Sequence, residues 1–480
     1  MTLLQRWTSL AREALVPSDS DFRDRLAFLM LLAFIVLAPW LQGARLPAAV
    51  AGTPAPVGRL LIPALGFAIG ALTFSSRSSF RSLRPLFLPL ASILAVGLLG
   101  LLQLIPLPEP TLAQIASVNL QIYHETADLF SLYGQTAPQP RISLAPEQTA
   151  ATVLLLGGSA ALLAATAQLL RTRPRRRAFA TAAVFSGCLQ IAVAGILAAK
   201  RGAFRGVFES TAELGDFLLV LLPVAFGFFW AEVLTNADRG RDTADRGERL
   251  AVRLAPLVAR ALGLGIIGAG IVMTGSPVRM AAAGLSILLL WLLAGRHSLR
   301  ARRPASSIAA GLAAWIALAG RADAQIPAAV SAAAERTLSI WQTALEAWQS
   351  FPIFGAGLGA FPDAFRRFQP RELGGLVDSA MSVPLQLLLT GGAVGAFFAL
   401  LAWISMLVLL VRRFRGQRHR EESALTLVGI GALLAIGLDG LAEFNLAAES
   451  VPAVLACVLG LGLAAGDGSR REQTWTTRTP

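Results

Sequence analysis

Three arginines and two carboxylates are the side chains in this sequence best suited to chemistry. Arg205, Arg279 and Arg336 stand beside apolar segments, and a guanidinium can bind a carboxylate or a phosphate through two parallel hydrogen bonds. Glu213 and Asp378 stand at loop ends, where a carboxylate can accept a proton from a hydroxyl. Two plainer interpretations compete with these. The carboxylates are simply solvated, and the arginines pair with phospholipid headgroups or with nearby acids, which are Glu335, Asp363 and Glu372.

Long apolar segments must position these side chains. Hydrophobic residues make up 55% of the chain and charged residues 15%, which is typical of a bundle surrounded by lipid. Crossing the hydrocarbon takes roughly 20 apolar residues, and a helix satisfies its own backbone there. The sequence therefore predicts an all-α, polytopic transmembrane helix bundle of about twelve spans: 26–42, 57–74, 86–105, 150–170, 178–199, 214–234, 256–274, 280–295, 305–320, 384–411, 423–440 and 451–466.

Arginine-rich loops alternate with arginine-poor ones along the chain. Arginine near span ends is retained on the cytoplasmic side of a membrane. Every second loop is rich in arginine, namely 77–84, 171–177, 239–253, 296–303 and 412–420. The alternation predicts that both termini are cytoplasmic and that 107–148 and 321–381 lie outside. Arg205, Arg279 and Arg336 are then outside, against the bias, where each requires an anionic partner.

This topology predicts four regions. They are an N-terminal bundle of about nine spans (1–320), a large outer loop (321–383), C-terminal helices (384–466) and a cytoplasmic tail (467–480). The net charge of +13 is spread over loop ends, as orientation and anionic headgroups require, so no nucleic-acid partner is expected. Cys188 and Cys457 lie in predicted spans and offer neither a disulfide framework nor zinc spacing.

The large outer loop carries the clearest local patterns. Apolar residues recur at helical spacing within 331–350, which predicts an amphipathic helix. Its tryptophans, Trp341 and Trp348, suit a bilayer interface. The helix should end at Pro352, before a glycine-rich turn at Gly355–Gly359. That turn is not a phosphate loop, because no strand precedes it and no Lys-Ser/Thr follows it.

These patterns resemble the bacterial O-antigen ligase and O-antigen polymerase superfamily. An arginine, a W-x-x-A-L sequence and a P-x-x-G-x-G-x-x-x-F sequence open the large loop of that superfamily, and Arg336, Trp341–Leu345 and Pro352–Phe361 match them. Further matches follow in the order of the family, at Ile105–Pro108, Ser143–Thr149, Phe217-Leu218 with Pro223, Leu385–Leu388, Gly391–Gly395 and Phe444–Leu446.

The resemblance implies a transfer reaction at the periplasmic face of the bacterial inner membrane. Such proteins move a glycan from undecaprenyl diphosphate to a hydroxyl of a lipid or glycan acceptor, and no metal or cofactor is needed. A diphosphate is already a good leaving group, so arginines that bind its oxygens can stabilise its departure. Arg336 matches the loop-entry arginine of the family, and Arg279 and Arg205, on the same outer side near helix ends, are further candidates for that binding.

The sequence departs from the family where acid–base chemistry is expected. Met381 and Ser382 stand where the family has a histidine–asparagine pair, Thr390 replaces a glutamate, and the N-x-N-H sequence reads Ser210–Glu213. A serine–arginine pair reads Ser276-Pro277, with Arg279 displaced. The chain has three histidines, and none lies in the large loop. Asp378 and Glu213 are the candidate replacements for the missing base.

Three functions remain open at this point. The leading hypothesis is a glycan transferase of surface polysaccharide assembly. The second is an inactive relative that binds the lipid-linked glycan or acts as a scaffold. The third is a transporter or flippase, which is disfavoured because transporters place charges at mid-membrane, whereas here charges cluster at span ends and Arg260 is the exception.

Reporter fusions test the predicted topology. A fusion at Gly240 should report a cytoplasmic location and one at Gly374 a periplasmic location, because arginine-rich and arginine-poor loops alternate between them. Activities of paired cytoplasmic and periplasmic reporters at both sites provide the measurement. Identical signals would show that the number of spans between the two positions is wrong.

Overall fold

The computed structural model describes residues 22–43, 58–74, 83–134, 136, 138–239, 248–294, 327–417, 420–446 and 448–464. No β-strand occurs in this part of the chain. Its helices are α1 Phe22–Gly43, α2 Gly58–Thr73, α3 Phe87–Leu104, α4 Glu109–Ile115, α5 Ser117–Leu132, α6 Pro146–Leu169, α7 Arg173–Arg201, α8 Thr211–Arg239, α9 Glu248–Met273, α10 Pro277–Ala294, α11 Pro327–Ser350, α12 Phe361–Phe365, α13 Val383–Gly416, α14 Arg420–Asp439 and α15 Ser450–Ala464.

The prediction of an all-α polytopic bundle is confirmed. Nine helices among the described residues are long and apolar enough to cross a membrane, and they are α1, α3, α6 to α10, α13 and α14. Two more, α2 and α15, are apolar but have only 16 and 15 residues. These eleven helices match eleven of the predicted spans. The remaining span, 305–320, lies outside the described residues.

Helix α8 forms the centre of the bundle. Every side chain from Leu214 to Leu234 is buried, so this helix is enclosed by other helices rather than by lipid. Helix α14 packs closely on it, because Gly227 has no side chain to hold the two apart. A Cβ at Gly227 would collide with Val428 and would lie 3.0 Å from the carbonyl oxygen of Ala424. Small residues allow this kind of close approach between membrane helices.

One end of the bundle, the arginine end, gathers the arginines of α7 and α13 around helix C-termini. Arg176 donates to the carbonyl of Ala464 at 3.2 Å, and Arg413 donates to that of Leu463. Arg175 donates to the carbonyl of Leu169, the last residue of α6, at 3.3 Å. The last carbonyls of a helix lack intrahelical partners and carry partial negative charge. The arginines that predict orientation therefore also cap α6 and α15.

The opposite end, the loop end, carries the segments 105–145 and 351–382. Helix α5 contributes Val118 and Ile122 to a small apolar core that is otherwise built from the large loop. Arg367 of that loop binds the carboxylate of Glu125 through two hydrogen bonds, of 2.8 and 3.2 Å. This bonding holds the pKa of Glu125 below its usual value. The two loop segments thus form one folded cap.

Helix α11 confirms the predicted helix, and the face that it packs on the loop core differs from its apolar stripe, which is formed by Leu338, Trp341, Leu345 and Trp348. Ile340, Ala344 and Ala347 are buried in the loop core. Leu338 and Leu345 of the predicted stripe are 53% and 43% exposed, while Trp341 and Trp348 are half-buried. At 3.6 residues per turn, the two faces are roughly 110° apart. Ile340 and two alanines pack on the loop core, and the two leucines lie outside it.

A break in α13 joins the large loop to the bundle. Gly392 has a φ of 63°, which interrupts the helix and frees backbone groups on both sides. The turn at 352–357 satisfies them. Ala356 and Gly357 donate to the carbonyls of Leu389 and Thr390 at 2.9 and 3.0 Å, and Ala393 and Val394 donate to those of Pro352 and Ile353 at 2.9 and 3.2 Å. The loop backbone thus supplies the hydrogen bonds that the interrupted membrane helix cannot make within itself.

The side chain of Gln103, at the end of α3, stabilises this junction through hydrogen bonds. Its amide nitrogen donates to Phe354 and Thr390 carbonyls at 2.6 and 3.1 Å, and its amide oxygen accepts from the Leu358 N–H at 2.9 Å. The Ser143–Thr149 motif adds to it, since the Thr149 hydroxyl donates to the Leu358 carbonyl at 2.7 Å. The motifs that carry the family resemblance therefore meet in one hydrogen-bonded structure.

Replacing Gly392 by alanine should destabilise the junction more than replacing Gly375 does. Both glycines have a positive φ, of 63° and 66°, which L side chains rarely adopt, so an alanine is strained at either position. Only at Gly392 would the new Cβ collide with backbone, at the Ile353 carbonyl, whereas nothing lies within 4 Å at Gly375. We expect an additional cost of about 1–3 kcal/mol. Thermal unfolding in detergent provides the measurement, and equal losses for both variants would contradict it.

Candidate functional site

An ion-pair cluster at the loop end joins the three helices α8, α10 and α14. Arg279, in the first turn of α10, donates to Asp216 through Nη2 at 2.7 Å and Nε at 3.1 Å. Its Nη2 also binds Glu443, and its Nε lies 3.9 Å from Asp439. The Arg279 side chain is 1% exposed. We refer to these four residues as the acid–arginine cluster.

Local structure explains how the four side chains converge. Asp439 is the last residue of α14, and the N–H of Glu443 donates back to its carbonyl at 2.9 Å. This extra turn places the two carboxylates on the same face, since residues four apart are neighbours. On α8, Gly215 leaves room for the arginine, because a Cβ there would lie only 2.7 Å from Cδ of Arg279.

Helix dipoles oppose two members of the cluster. Arg279 lies at the N-terminus of α10 and Asp439 at the C-terminus of α14, which are the unfavourable ends for a cation and an anion. Ser276 and Asn445 support the pair: the Ser276 hydroxyl donates to Glu443, and Asn445 Nδ2 donates to Asp439 Oδ2 at 3.1 Å. The placement is therefore not explained by the stability of the individual helices, and it is maintained by contacts between them.

The cluster also brings together three possible metal ligands. Ligand oxygens of Asp216, Asp439 and Glu443 all lie within 4.8 Å of one another, and this is the one such group in the described part of the chain. The Arg279 guanidinium already balances part of their charge. For Arg279 to bind a substrate diphosphate, the phosphate oxygens would have to compete with these carboxylates for its N–H groups.

The end of the large loop reaches the cluster through the backbone. The Val383 N–H, at the start of α13, donates to the Gly440 carbonyl at 2.7 Å, and Gly440 follows Asp439 directly. Just before it, Met381 has a φ of 50° and is the only non-glycine residue with positive φ in the described ranges. Such a conformation is held by surrounding structure at a cost. Met381 and Ser382, the positions at which the sequence departs from the family pair, therefore lie beside the cluster.

Glu213 and Arg205 lie at the start of α8 and have structural partners. The N–H of Glu213 donates to the Ser210 hydroxyl at 3.1 Å, while its carboxylate accepts the N–H of Glu209 at 3.2 Å. This pattern is a variant of the capping box that closes helix N-termini. Arg205 is exposed and donates to the carbonyl of Glu209 at 3.0 Å. Both side chains shape the turn that leads into α8.

Arg336 and Asp378 are placed differently from the other predicted residues. Both side chains are exposed on the large loop, and neither forms a hydrogen bond or an ion pair with any described residue. The structure therefore does not gather the five predicted residues into one constellation. Arg279 is in the buried cluster, Glu213 and Arg205 lie at the start of α8, and Arg336 and Asp378 face solvent.

The sequence analysis missed the three carboxylates around Arg279. Asp216 and Asp439 stand inside the predicted spans 214–234 and 423–440, and ionisable residues within apolar spans are a recognised functional signal. Arg260 shows the same oversight. This arginine, named above as the exception within a span, pairs with Glu232, and its Cζ lies 4.1 Å from the ring centre of Phe228. In both places an arginine within a span has an acidic partner on α8.

The fold and the capped end of the bundle define a class, the polytopic α-helical membrane proteins with a large folded loop at one end. Residues 262–400 match the family model described as O-antigen ligase, a range that includes Arg279, Arg336 and Asp378. This match supports the relationship to the O-antigen ligase superfamily that the motifs predicted. It supports a membrane role of the ligase or polymerase type in surface polysaccharide assembly. No curated protein matches the chain.

Replacing Arg279 by alanine should strongly destabilise the protein. The change leaves Asp216, Asp439 and Glu443 together without their guanidinium, and breaking a buried ion pair typically costs about 3–5 kcal/mol. Arg336→Ala is the matched control, because that arginine is exposed and unpaired among the described residues. Thermal unfolding in detergent should show a large loss only for Arg279→Ala. Similar stability of both variants would mean that the cluster contributes nothing net.

Proposed function

We propose that this protein transfers a glycan from undecaprenyl diphosphate to a hydroxyl acceptor at the loop end of its bundle. The family match over residues 262–400 carries the proposal, because that range contains the large loop and its candidate substrate contacts. The loop end would face the periplasm and the arginine end the cytoplasm of a bacterium. Both termini would then be cytoplasmic, and the membrane would be the inner membrane.

Arg336 is the main candidate contact for the diphosphate. Its guanidinium is exposed and has no described ion-pair partner, so its N–H donors are available to an incoming oxyanion. Arg279 is engaged with three carboxylates and Arg205 with a carbonyl, so each would first have to release a partner. We therefore assign Arg336 the stabilisation of the leaving diphosphate, and Arg279 the holding of the site.

Asp378 is the candidate base for the acceptor hydroxyl. It is exposed on the loop, three residues before Met381, where the family has its histidine. Glu213 is the weaker candidate, since its carboxylate already accepts a backbone N–H in the cap of α8. A diphosphate departs without a strong acid, so the reaction can proceed mainly through electrostatic stabilisation, with the base as a minor contribution.

Binding without transfer is the second candidate function. It is favoured by the absence of histidine from the large loop and by the replacements Met381 and Ser382. Transport is less well supported by the positions of the buried charges. Asp216 and Glu232 are sixteen residues apart on α8, or about 24 Å at 1.5 Å per residue, which is close to the roughly 30 Å of the hydrocarbon core. Two charges this far apart along a helix cannot both lie at the midplane, where transporters bind their substrates.

Variants of the purified protein separate these functions. In liposomes with an undecaprenyl-diphosphate glycan and a hydroxyl acceptor, Arg336→Ala should slow transfer by about 100-fold, equivalent to roughly 3 kcal/mol in barrier height. Asp378→Asn should have a smaller effect, because the base is weak. Arg371→Ala, another exposed arginine of the same loop, serves as the matched control and should leave transfer unchanged.

The pattern of losses decides between the hypotheses. Transfer that depends on Asp378 and not on Arg336 would refute the electrostatic mechanism. Binding of the lipid-linked glycan by the wild type, without transfer to any acceptor, would establish the inactive binder. Neither binding nor transfer would leave the family relationship as one of fold alone.

A further inference from the structure

The acid–arginine cluster holds more negative than positive charge. Three carboxylates surround one guanidinium, so the four ionised groups sum to two negative charges. Asp216, Asp439 and Arg279 are all buried, and only Glu443 retains partial exposure, at 23% of its side chain. Buried charge without compensation is costly, because the interior cannot replace its lost hydration. Either a bound cation or a proton on one of the carboxyl groups can supply the missing positive charge.

Two buried oxygens, one in the cluster and one in the turn that follows α14, also accept no hydrogen bond from a described N–H or hydroxyl group. Asp439 Oδ1 accepts no hydrogen bond from any described residue, and it lies 3.9 Å from Arg279 Nε, beyond hydrogen-bonding distance. Asn445 Oδ1 is likewise without a partner among the described residues, although its amide nitrogen binds Asp439 Oδ2 and the Ile436 carbonyl. Both side chains are fully buried. Arg279 cannot serve these oxygens, since its Nη2 and Nε are directed to Asp216 and Glu443.

We propose that Asp216, Asp439, Glu443 and Asn445 bind one hard divalent cation of the calcium class. All four donors are oxygens, which are the ligands of calcium and magnesium. The three carboxylate oxygens lie within 4.8 Å of one another, and ligands about 2.4 Å from a central ion are at most about 4.8 Å apart. Magnesium demands near-ideal octahedral geometry and usually keeps several waters, whereas calcium accepts the irregular set of protein oxygens that a buried cluster offers. Two positive charges also balance the cluster.

The ion would fasten α8 to α14 and to the turn after α14. Asp216 belongs to α8, Asp439 ends α14, and Glu443 and Asn445 lie in the following turn, whose Gly440 accepts the bond from the start of α13. The role is structural, so it does not depend on the glycan-transfer proposal. Arg279 and the ion would then divide the three carboxylates between them.

Calcium binding to the full-length protein tests this site. The protein is purified in detergent, treated with a chelator, and titrated with calcium chloride or with magnesium chloride alone. We expect one saturable calcium site per chain, with a dissociation constant on the order of 10⁻⁴ M, and a rise in the unfolding temperature on binding. Asp439→Asn and Glu443→Gln should each weaken calcium binding at least about tenfold. Glu125→Gln, a surface carboxylate of the same end, should not change it.

Several results would overturn the proposal. One such result is a folded wild type that shows no saturable binding at calcium concentrations several times higher than about 10⁻³ M. Protons would then balance the charge of the cluster. Unchanged calcium affinity in both Asp439→Asn and Glu443→Gln would place the ion elsewhere. Tighter binding of magnesium than of calcium would refute the calcium class. If Asp439→Asn does not fold, Glu443→Gln and the wild-type titration still decide, because Glu443 is partly exposed.

Discussion

Unpaired backbone groups cannot remain in a membrane-embedded helix, and this constraint organises the loop end of the protein. Gly392 breaks α13 and frees carbonyls at Leu389 and Thr390 and N–H groups at Ala393 and Val394. The turn at 352–357 pairs with all four. Since Gln103 and Thr149 then hold that turn, the positions of α3, α6 and the large loop all follow from one interruption in one helix.

A second constraint acts on charge. Helix α8 is enclosed along its length, yet it carries an acid near each end, Asp216 and Glu232, and each has an arginine from a neighbouring helix, Arg279 and Arg260. Removing either partner would leave a buried charge, so the pairs fix which helices surround α8 and at what height. At the loop end this pairing also positions Asp439 and Gly440, on which the start of α13 rests.

Much of the fold could be predicted from the sequence, because apolar length and the distribution of arginine are read directly from it. The same was true of α11, whose apolar spacing predicted a helix, but the spacing did not show that Ile340 and Ala344 would form its buried face. Burial there depends on the shape of a partner that no local pattern encodes.

Ion pairs between residues far apart in the sequence were harder to predict. Asp216, Arg279 and Asp439 are far apart in sequence, so only their presence in apolar segments gave a signal. Glu213 was proposed as a base because of its location, and its bond to Ser210 shows a capping role that spacing alone could have indicated.

The junction between the turn and the broken helix has a consequence for how the protein is made. Residues 352–357 precede Gly392 in the chain, and so do Gln103 and Thr149. A ribosome therefore delivers every partner of the break before the break itself. When α13 enters the lipid, the backbone groups that bond its free carbonyls and N–H groups have already been synthesised. The interrupted helix therefore need not pass through a state in which these groups lack hydrogen bonds. The order of synthesis thus matches the order in which this membrane fold needs its parts.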